Sequence, residues 1–579
     1  MFKYILSLCV VLFVSYCCYG VTSTFDDQGN TTYTNGASID EIIGADVWHT
    51  AGYYGSTVNV ANVEAGLAAD TFTPISSALA STDQYYYTPA TGLTTTADFY
   101  DLHATQTSTA MAGRSVNPAY NGIASQATLY SGAVATAFGE SGSFSVSDQS
   151  VYNGYSQYYG DSKNISVINS SWGGSTYRTT SGLIIDALAY NNTTTLQVFS
   201  AGNSGPAENT VSAPGVNSLV VGASANGNET ANSSTFIPPT EFNTYDKLAS
   251  FSSIGPSNWT FFRVEEDGTQ NLYGQLAARA SVDLIAPGSY IATTGDMTGS
   301  SSSSVFGTSY SAPITAGAAA LMVDYANQNF TGNTHSEAID ARVLKATMMN
   351  SCDKNEGWDN MQSVVSIDGR DVIGTGYALD FKTGAGVLNM ENAYSQYTQG
   401  QTGIEGTSDG SGFYVQAELS GWDLGKVSLD GSNAGYYNDM NNMYVFEDLT
   451  ASYHLTATLS WFRATEQYMD DVEAAFVGND LYEADLDMGI YYYDDLVSDW
   501  VLMAVSASSF SLTEHLDFTF DAEGDYAIGV LYEGNAFDNT LADIFSEDYA
   551  LAWNLEEVPE PITLALIGLG SIMLRRKKC

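Results

Sequence analysis

Residues 306–322 read "FGTSYSAPITAGAAALM", and this segment predicts a turn that leads directly into a helix of small residues. Gly307 and Thr308 place Ser309 on the turn, and Pro313 is tolerated early in the helix because the first amides have no helical partner. A helix N-terminus favours negative charge, which would suit a serine nucleophile whose reaction builds an oxyanion. A plain helix N-cap is the commoner use of such a serine, so this segment alone leaves both interpretations open.

Two other segments carry polar side chains that could take part in such a reaction. His103 begins the small-residue stretch "HATQTSTAMAGR", which predicts a helix over 103–114. Asn203 lies among glycines in "FSAGNSGP" (199–206), where a predicted strand ends. A single histidine is more often structural, and an asparagine amide on a turn either donates to an oxyanion or stabilises the turn. Each residue is therefore a candidate for a role in the reaction, and a purely structural role is the alternative for each.

The pattern around these segments predicts an α/β fold. From 41 to 398, short apolar runs alternate with Ala-rich helical stretches, and one of these runs, "VNVANVEAGL" (58–67), ends in the lone acid Glu64. Apolar strands that alternate with helices indicate a parallel sheet with helices on both faces. After a polar linker at 399–412, short alternating strands over 413–557 predict an all-β sandwich domain. Glu64 either serves only as the end of its strand or takes part in a reaction.

Six segments, in the family's order along the chain, resemble the subtilisin-like serine proteases. "HATQ" lies where the family has His-Gly-Thr-His, "NSSWGG" resembles its substrate-binding edge strand, and "AGNSG" corresponds to its oxyanion-hole segment. "ASFSSIGP" and "LIAPG" are further family segments, and "GTSYSAP" resembles the nucleophile motif. The order acid, histidine, serine is also that of the subtilisins. The resemblance covers most of residues 41–398 and implies a subtilisin-like peptidase domain there.

The resemblance also implies a role for each candidate residue. These roles are Ser309 as nucleophile, His103 as general base, Glu64 as the acid that orients the histidine, Asn203 as oxyanion donor, and Ser171, Trp172 and Gly173 alongside the bound peptide. The implied activity is that of a serine endopeptidase acting on protein or peptide substrates, and no cofactor is required for it. The region 413–557 resembles the β-sandwich modules that follow the protease domain in many secreted subtilases.

The sequence departs from the family pattern at the acid and beside the histidine. Glu64 stands where the family has Asp, and Ala104 and Gln106 replace Gly and His. Glutamate is longer by one methylene, about 1.5 Å, and a misplacement of that order can cost about a hundredfold in rate. The resemblance therefore implies that aspartate at position 64 would be at least as active. A protease-like surface or matrix protein with little or no activity is the alternative that these departures leave open.

Composition and charge restrict the classes of partner that the protein is expected to bind. The chain has 579 residues with 65 acids and 18 bases, and its formal net charge of -47 excludes nucleic-acid binding through a basic face. Asp-rich stretches such as "DLDMGIYYYDD" (485–495) supply hard oxygen ligands, which leaves a structural Ca²⁺ role open, although no complete Ca²⁺-loop motif is present. With both ends removed, Cys352 is the remaining cysteine, so no internal disulfide is expected.

Both ends of the sequence predict export. Residues 1–20, one lysine followed by an apolar run, are typical of a secretory signal peptide, and 21–40 form a short leader. Residues 558–579 resemble the PEP-CTERM sorting signal, with Val-Pro-Glu-Pro, an apolar stretch and four basic residues. That resemblance implies an exosortase-type sorting enzyme, transient membrane association, and delivery to the cell surface, outer envelope or exterior of a Gram-negative bacterium. An ordinary membrane anchor is the alternative.

Overall fold

A computed structural model describes most of the chain. The described residues are 22–25, 31–34, 39–69, 84–88, 92–94, 100–114, 121–138, 143–160, 163–176, 178–225, 245–265, 270–297, 302–367, 369–403, 413–428, 442–450, 452–470, 475–520, 522–540 and 546–558. The predicted signal peptide (1–20), the end of the predicted linker (404–412) and nearly all of the predicted sorting signal (559–579) lie outside them.

Helices and strands alternate in the first part of the chain, and strands follow one another in the last part. In chain order, the helices are α1 (Ile39–Ile42), α2 (Asp46–Thr50), α3 (Leu102–Ala112), α4 (Asp148–Ser156), α5 (Thr180–Asn191), α6 (Thr308–Asn329), α7 (Gly332–Ala338), α8 (Ala341–Asn350) and α9 (Met390–Tyr397). The strands up to residue 305 are β1 (Thr22–Phe25), β2 (Thr31–Thr34), β3 (Asn59–Glu64), β4 (Gln84–Thr88), β5 (Gly92–Thr94), β6 (Thr128–Ala133), β7 (Ala135–Phe138), β8 (Phe144–Val146), β9 (Ile165–Ser170), β10 (Leu196–Ser200), β11 (Leu219–Ala225), β12 (Lys247–Leu248), β13 (Ser257–Val264), β14 (Gln270–Arg279), β15 (Leu284–Pro287), β16 (Ile291–Thr294) and β17 (Ser302–Val305). The later strands are β18 (Ser363–Ile367), β19 (Arg370–Gly374), β20 (Phe413–Gln416), β21 (Ser420–Ser428), β22 (Asn442–Leu449), β23 (Tyr453–Ser460), β24 (Ala464–Asp470), β25 (Ala475–Asp494), β26 (Asp499–Ser506), β27 (Thr513–Phe520), β28 (Gly524–Asp538) and β29 (Ser546–Glu557).

The N-terminal part of the chain is built on one large sheet. Its strand order is β12-β11-β10-β9-β3-β6-β4-β5, and β15 also pairs with β11. The pairs from β15 to β4 are parallel, whereas β12 and β5 are antiparallel additions. In such a sheet the carboxyl ends of the strands meet at one edge, where ligands usually bind. Strands β3, β9 and β10 are adjacent, so the residues that follow them are brought together at that edge.

Helices cover both faces of this sheet, as the sequence pattern predicts. Along β3, Val60 joins the apolar cluster that contains Leu321 of α6, whereas Val63 joins the cluster that contains Ile185 of α5. The small residues of α6 let this helix approach α3 closely. At Gly317 there is no room for a side chain, because an added Cβ would lie 2.8 Å from the Met111 carbonyl oxygen. The predicted α/β class is therefore confirmed.

The C-terminal part forms two antiparallel sheets that pack face to face. One sheet has the order β18-β19-β26-β25-β28-β22-β20, with β24 beside β25, and the other has the order β21-β29-β23-β27. Pairing is antiparallel except between β19 and β26 and between β20 and β22. Leu486 and Ile528 of the first sheet share one apolar core with Leu455 and Trp553 of the second. This arrangement is the predicted β-sandwich, extended by the hairpin β18–β19 from before α9.

Buried ion pairs join the two parts of the chain. Arg178 donates to both carboxylate oxygens of Asp480 on β25, at 3.0 and 2.6 Å, and it also pairs with Asp186 of α5. Arg463 pairs with Glu483 inside the C-terminal part, where both side chains are almost completely buried, and its Nη1 donates to the Thr260 carbonyl oxygen of the first part at 2.7 Å. Removing one partner of such a group leaves an uncompensated buried charge at a cost of about 3–5 kcal/mol. The β-sandwich is therefore firmly fixed on the first part of the chain.

Two further findings concern the membrane and Cys352. Among the described residues, no helix is both long and apolar enough to span a bilayer. Cys352 is buried as a free thiol, and its burial raises the pKa of that thiol to about 12. A thiol in this state is a poor nucleophile at neutral pH.

Candidate active site

Glu64 lies at the carboxyl end of β3, where its side chain is 1% exposed. Its Oε1 accepts hydrogen bonds from Ser171 N at 2.8 Å and from Asn169 Nδ2 at 3.4 Å. Its Oε2 lies 3.3 Å from His103 Nδ1. The carboxylate thus contacts the chain that follows β9 with one oxygen and the histidine with the other.

His103 lies in the first turn of α3, which begins beside the end of β3. Asp101 is the N-cap of this helix and accepts a hydrogen bond from Ala104 N at 3.1 Å. Burial lowers the pKa of His103, but the hydrogen bond and charge of Glu64, together with the charge of Asp101, raise this pKa above its ordinary value. Because a carboxylate accepts the Nδ1 proton, Nε2 of the neutral ring is left as the basic nitrogen.

Ser309 is the second residue of α6, and its side chain lies close to the other two. The N-cap of the helix is Gly307, whose φ of 141° suits glycine, and it makes no side-chain cap hydrogen bond. The plain N-cap interpretation of Ser309 is therefore wrong. Ser309 Oγ donates to the Ser171 carbonyl oxygen at 3.5 Å, while Ser171 Oγ donates to the Ser309 carbonyl oxygen at 2.8 Å. The rings of His103 and Tyr310 lie 6.0 Å apart, which places the histidine beside the start of α6.

Within the part of the chain that the structure describes, no hydrogen bond joins the His103 ring to the Ser309 hydroxyl. Ser171 lies between them instead, because its backbone nitrogen donates to Glu64, the partner of His103, and its carbonyl oxygen accepts from the Ser309 hydroxyl. The Glu64–His103 pair and Ser309 are therefore brought to the same edge of the sheet, with Ser171 between them.

Asn203 follows β10 and contacts the residue before Ser309. Its Oδ1 accepts hydrogen bonds from Thr308 N at 2.9 Å and from Thr308 Oγ1 at 3.1 Å. Both contacts fix the side-chain amide with its oxygen towards the helix start. Among the described residues Asn203 Nδ2 has no hydrogen-bond partner, so it is left as a donor beside the first turn of α6.

The predicted substrate-binding residues Ser171, Trp172 and Gly173 follow β9 directly. Trp172 is 7% exposed, and its indole nitrogen donates to Tyr155 Oη at 3.0 Å, so its side chain belongs to the core. Gly173 is exposed, and a Cβ added to it would lie 2.5 Å from the Ser212 carbonyl oxygen. The tryptophan ring is therefore part of the core, and the exposed residue of this stretch is Gly173.

The model of the subtilase family matches residues 37–365 of the chain. The chain belongs to the subtilase family. A solved structure of the prenylagaramide maturation protease PagA is similar at 17% sequence identity and a TM-score of 0.39, covering 61% of this chain and 98% of that chain. No curated protein matches.

Two buried polar residues that sequence reasoning missed support the acid of this subtilase. Asn62 Nδ2 donates to the Ala104 carbonyl oxygen and to Ser108 Oγ at 3.1 and 2.8 Å, which holds α3 on β3. Asn62 Oδ1 accepts from Asn169 Nδ2 at 2.7 Å, and Asn169 also contacts Glu64. Asn62 lies two residues before Glu64 in the same strand, so the two side chains point to the same face. That spacing is the signal that could have found it.

Gln106, where the family pattern has histidine, connects the two helices of the site. Its Nε2 donates to the Thr294 carbonyl oxygen at 2.9 Å, and its Oε1 accepts from Tyr310 Oη at 2.8 Å. The helix that carries His103 is thereby tied to the helix that carries Ser309. This departure from the family pattern therefore has a structural role in this chain.

The Asp-rich stretch 485–495 lies mostly in β25. Asp487 is 4% exposed, and burial, together with the charges of Asp485 and Glu533, raises its pKa well above the ordinary value. The described residues form no cluster of three or more His, Cys, Asp or Glu side chains that could hold a metal ion. The structural Ca²⁺ role stays a prediction from the sequence.

Proposed function

We propose that this subtilase is a serine endopeptidase in which Ser309 is the nucleophile, His103 the general base and Glu64 the acid that orients it. The observation that carries the proposal is the Glu64 carboxylate, which contacts Ser171 N at 2.8 Å and His103 Nδ1 at 3.3 Å. An acid in that position selects the histidine tautomer and stabilises the imidazolium that forms during the reaction.

In the proposed mechanism, His103 Nε2 takes the Ser309 hydroxyl proton as the oxygen attacks the scissile carbonyl. Asn203 Nδ2 and the Ser309 backbone nitrogen, an amide of the first helical turn, donate to the oxyanion. His103 then protonates the leaving amine, and water hydrolyses the acyl-enzyme. The substrate backbone lies along residues 171–173.

One rearrangement is required before the first step. The Ser309 hydroxyl turns from the Ser171 carbonyl oxygen, which it contacts at 3.5 Å, towards His103. Giving up this contact costs little, because 3.5 Å is at the limit of hydrogen bonding. Catalytic hydrogen bonds in ligand-free enzymes are often long and tighten when substrate binds.

Labelling with a fluorophosphonate tests the proposal directly. The wild-type protein should be labelled at one site, and Ser309→Ala should remove the label. Ser311→Ala is the matched control, since Ser311 is a buried serine two residues further along α6 whose hydroxyl has no hydrogen-bond partner among the described residues. Absence of label on the folded wild-type protein would overturn the proposed activity.

A second candidate is a protease-like surface or matrix protein of little or no activity. The hydrogen bond of the Ser309 hydroxyl to the Ser171 carbonyl oxygen, rather than to His103, is the observation that favours it. The same experiment separates the two candidates. A folded wild-type protein that takes no label, even at high reagent concentration and alkaline pH, would favour the second.

We further propose export and sorting to the cell surface, outer envelope or exterior, with an exosortase-type enzyme as partner and transient membrane association of the tail. The support is the sequence of residues 1–20 and 558–579. Mass spectrometry of the protein from its native envelope tests this. The mature chain should lack both segments, and a mass equal to that of the full sequence would contradict the proposal.

A further inference from the structure

The chain that follows β9 lies against residues 211–217, which we call the backing segment. Gly174 N donates to the Ser212 carbonyl oxygen at 3.2 Å, and Ser212 N donates to the Ala201 carbonyl oxygen at 2.9 Å. Gly173 also lies directly on Ser212, because an added Cβ would be 2.5 Å from the Ser212 carbonyl oxygen. The backing segment therefore supports the far end of the proposed substrate-binding stretch.

Asp186 of α5 holds the other end of the backing segment. Its Oδ1 accepts hydrogen bonds from Val216 N and from Asn217 N, each at 2.8 Å. The approach is close, because a Cβ added to Gly215 would lie 2.8 Å from the same oxygen. Asp186 is completely buried, and a buried carboxylate requires a counter-charge. Arg178 provides it.

Arg178 connects this support to the β-sandwich. Asp480, on β25, is completely buried and accepts two hydrogen bonds from the Arg178 guanidinium, at 3.0 and 2.6 Å. Two parallel hydrogen bonds fix the orientation of the planar guanidinium. A carboxylate of the β-sandwich therefore sets the position of the cation that pairs with Asp186.

A second contact joins the β-sandwich directly to the backing segment. Asn217 is 1% exposed, and its side-chain amide makes two hydrogen bonds with the backbone of Arg463, the residue before β24. Asn217 Nδ2 donates to the Arg463 carbonyl oxygen, and Asn217 Oδ1 accepts from Arg463 N, both at 2.8 Å. The β-sandwich thus holds the backing segment at two points, directly at Asn217 and through Arg178 and Asp186.

We propose that the β-sandwich positions the substrate-binding stretch of this protease, with Asp480 and Asn217 as positioning residues. The inference rests on the proposed function, because it concerns the same site. Within the described residues, neither side chain makes a hydrogen bond or ion pair with Glu64, His103 or Ser309. Both act through the backbone of the stretch. Groups that bind substrate need support to within about 0.5 Å, and a misplacement of about 1 Å can cost about a hundredfold in rate.

The two ends of the substrate-binding stretch are held by different groups, and this difference makes the inference testable. Ser171, at the near end, contacts Glu64 and Ser309. Gly173, at the far end, lies on the backing segment. Loss of the support from the β-sandwich should therefore weaken the binding of a peptide and leave the reactivity of Ser309 unchanged.

Peptide kinetics and fluorophosphonate labelling of the full-length protein separate these two effects. Asp480→Asn and Asn217→Ala should each raise KM about tenfold for a peptide with several residues before the scissile bond, the effect of losing about one hydrogen bond to the substrate. The value of kcat should change little, because the lost interaction binds substrate and transition state equally. The rate constant for labelling Ser309 should stay that of the wild type, because the small reagent does not lie along the stretch.

Asp340→Asn is the matched control. Asp340 is a buried carboxylate that pairs with Arg342, and Arg342 Nη1 donates to the Asp548 carbonyl oxygen of the β-sandwich at 3.2 Å. Within the described residues, neither Asp340 nor Arg342 makes a hydrogen bond or ion pair with the backing segment. This variant should lower the melting temperature without raising KM. Asn217→Ala removes no charge and decides the question if Asp480→Asn does not fold.

The failure of this inference can be distinguished from that of the proposed function. A folded wild-type protein that takes no label overturns the proposed activity, and the inference falls with it. A labelled wild-type protein whose KM is unchanged in both variants overturns the inference alone. An equal rise of KM in Asp340→Asn also overturns it, because the effect would then be one of general destabilisation. So does a labelling rate that falls as much as kcat/KM, because the two residues would then act on the catalytic groups.

Discussion

Replacing Glu64 by aspartate tests whether the proposed active site is built for the longer acid. One carboxylate contacts two donors, with Oε1 2.8 Å from Ser171 N and Oε2 3.3 Å from His103 Nδ1. Removing one methylene draws the carboxylate back by about 1.5 Å. Since 3.3 Å is already near the limit for a hydrogen bond, an aspartate that keeps Ser171 N loses His103. From this geometry we predict a loss of activity in Glu64→Asp, whereas the family resemblance implies that aspartate would serve at least as well.

The expected loss is about a hundredfold in the second-order rate constant for fluorophosphonate labelling, or about 3 kcal/mol of transition-state stabilisation. The pKa of His103, read from the pH dependence of that rate, should fall in Glu64→Asp, because the hydrogen bond and charge of Glu64 raise it in the wild type. Glu391→Asp is the control, since Glu391 is an exposed glutamate of α9.

A rate for Glu64→Asp equal to or above that of the wild type would refute this reasoning. Melting curves are required beside the rates, so that a loss of folding is not mistaken for a loss of orientation. Glu64→Gln extends the test, because a glutamine NH₂ turned towards His103 would favour the tautomer with the proton on Nε2. That change should cost about ten-thousandfold, and a smaller loss than in Glu64→Asp would show that the negative charge has no part in the reaction.

Three further outcomes are expected. Asn203→Ala should lower kcat for peptide hydrolysis by about 10²–10³ with little change in KM, because the lost donor acts on the oxyanion; a pure KM effect would contradict the assignment. Arg178→Met should lower the free energy of unfolding by about 3–5 kcal/mol in denaturant titrations, since Asp186 and Asp480 keep their buried charges. A change below about 1 kcal/mol would contradict the predicted role of these ion pairs. Burial raises the pKa of Glu547 to about 8, so the native state keeps a proton that the unfolded state loses above its ordinary pKa. Stability should fall as pH rises towards about 8, and Glu547→Gln should flatten this slope in melting curves.

Local patterns were sufficient to predict the main elements. The helix predicted from the small residues after Ser309 is α6, and the apolar run that ends in Glu64 is β3. These features depend on neighbouring residues, since side-chain periodicity and turn residues act over a few positions. The hairpin β13–β14 was not predicted, because much of its surface is exposed and it is held in place by packing against the distant strand β25.

The polar network around the site could not be predicted from such local patterns. Asn62 and Asn169 contact each other although 107 residues separate them. Gln106 and Tyr310 are 204 residues apart. Contacts of this kind depend on how helices pack on a sheet, and a shift of an ångström or two would break them without changing any local pattern.

The sequence by itself therefore determined which residues end the strands and begin the helices at one edge of the sheet, because those features follow from local chemistry. Only the tertiary structure decided that one carboxylate, that of Glu64, contacts both Ser171 and His103. The physical reason is the range of the interactions. Hydrogen bonds and ion pairs act over a few ångströms between segments whose positions are set by the packing of the whole core.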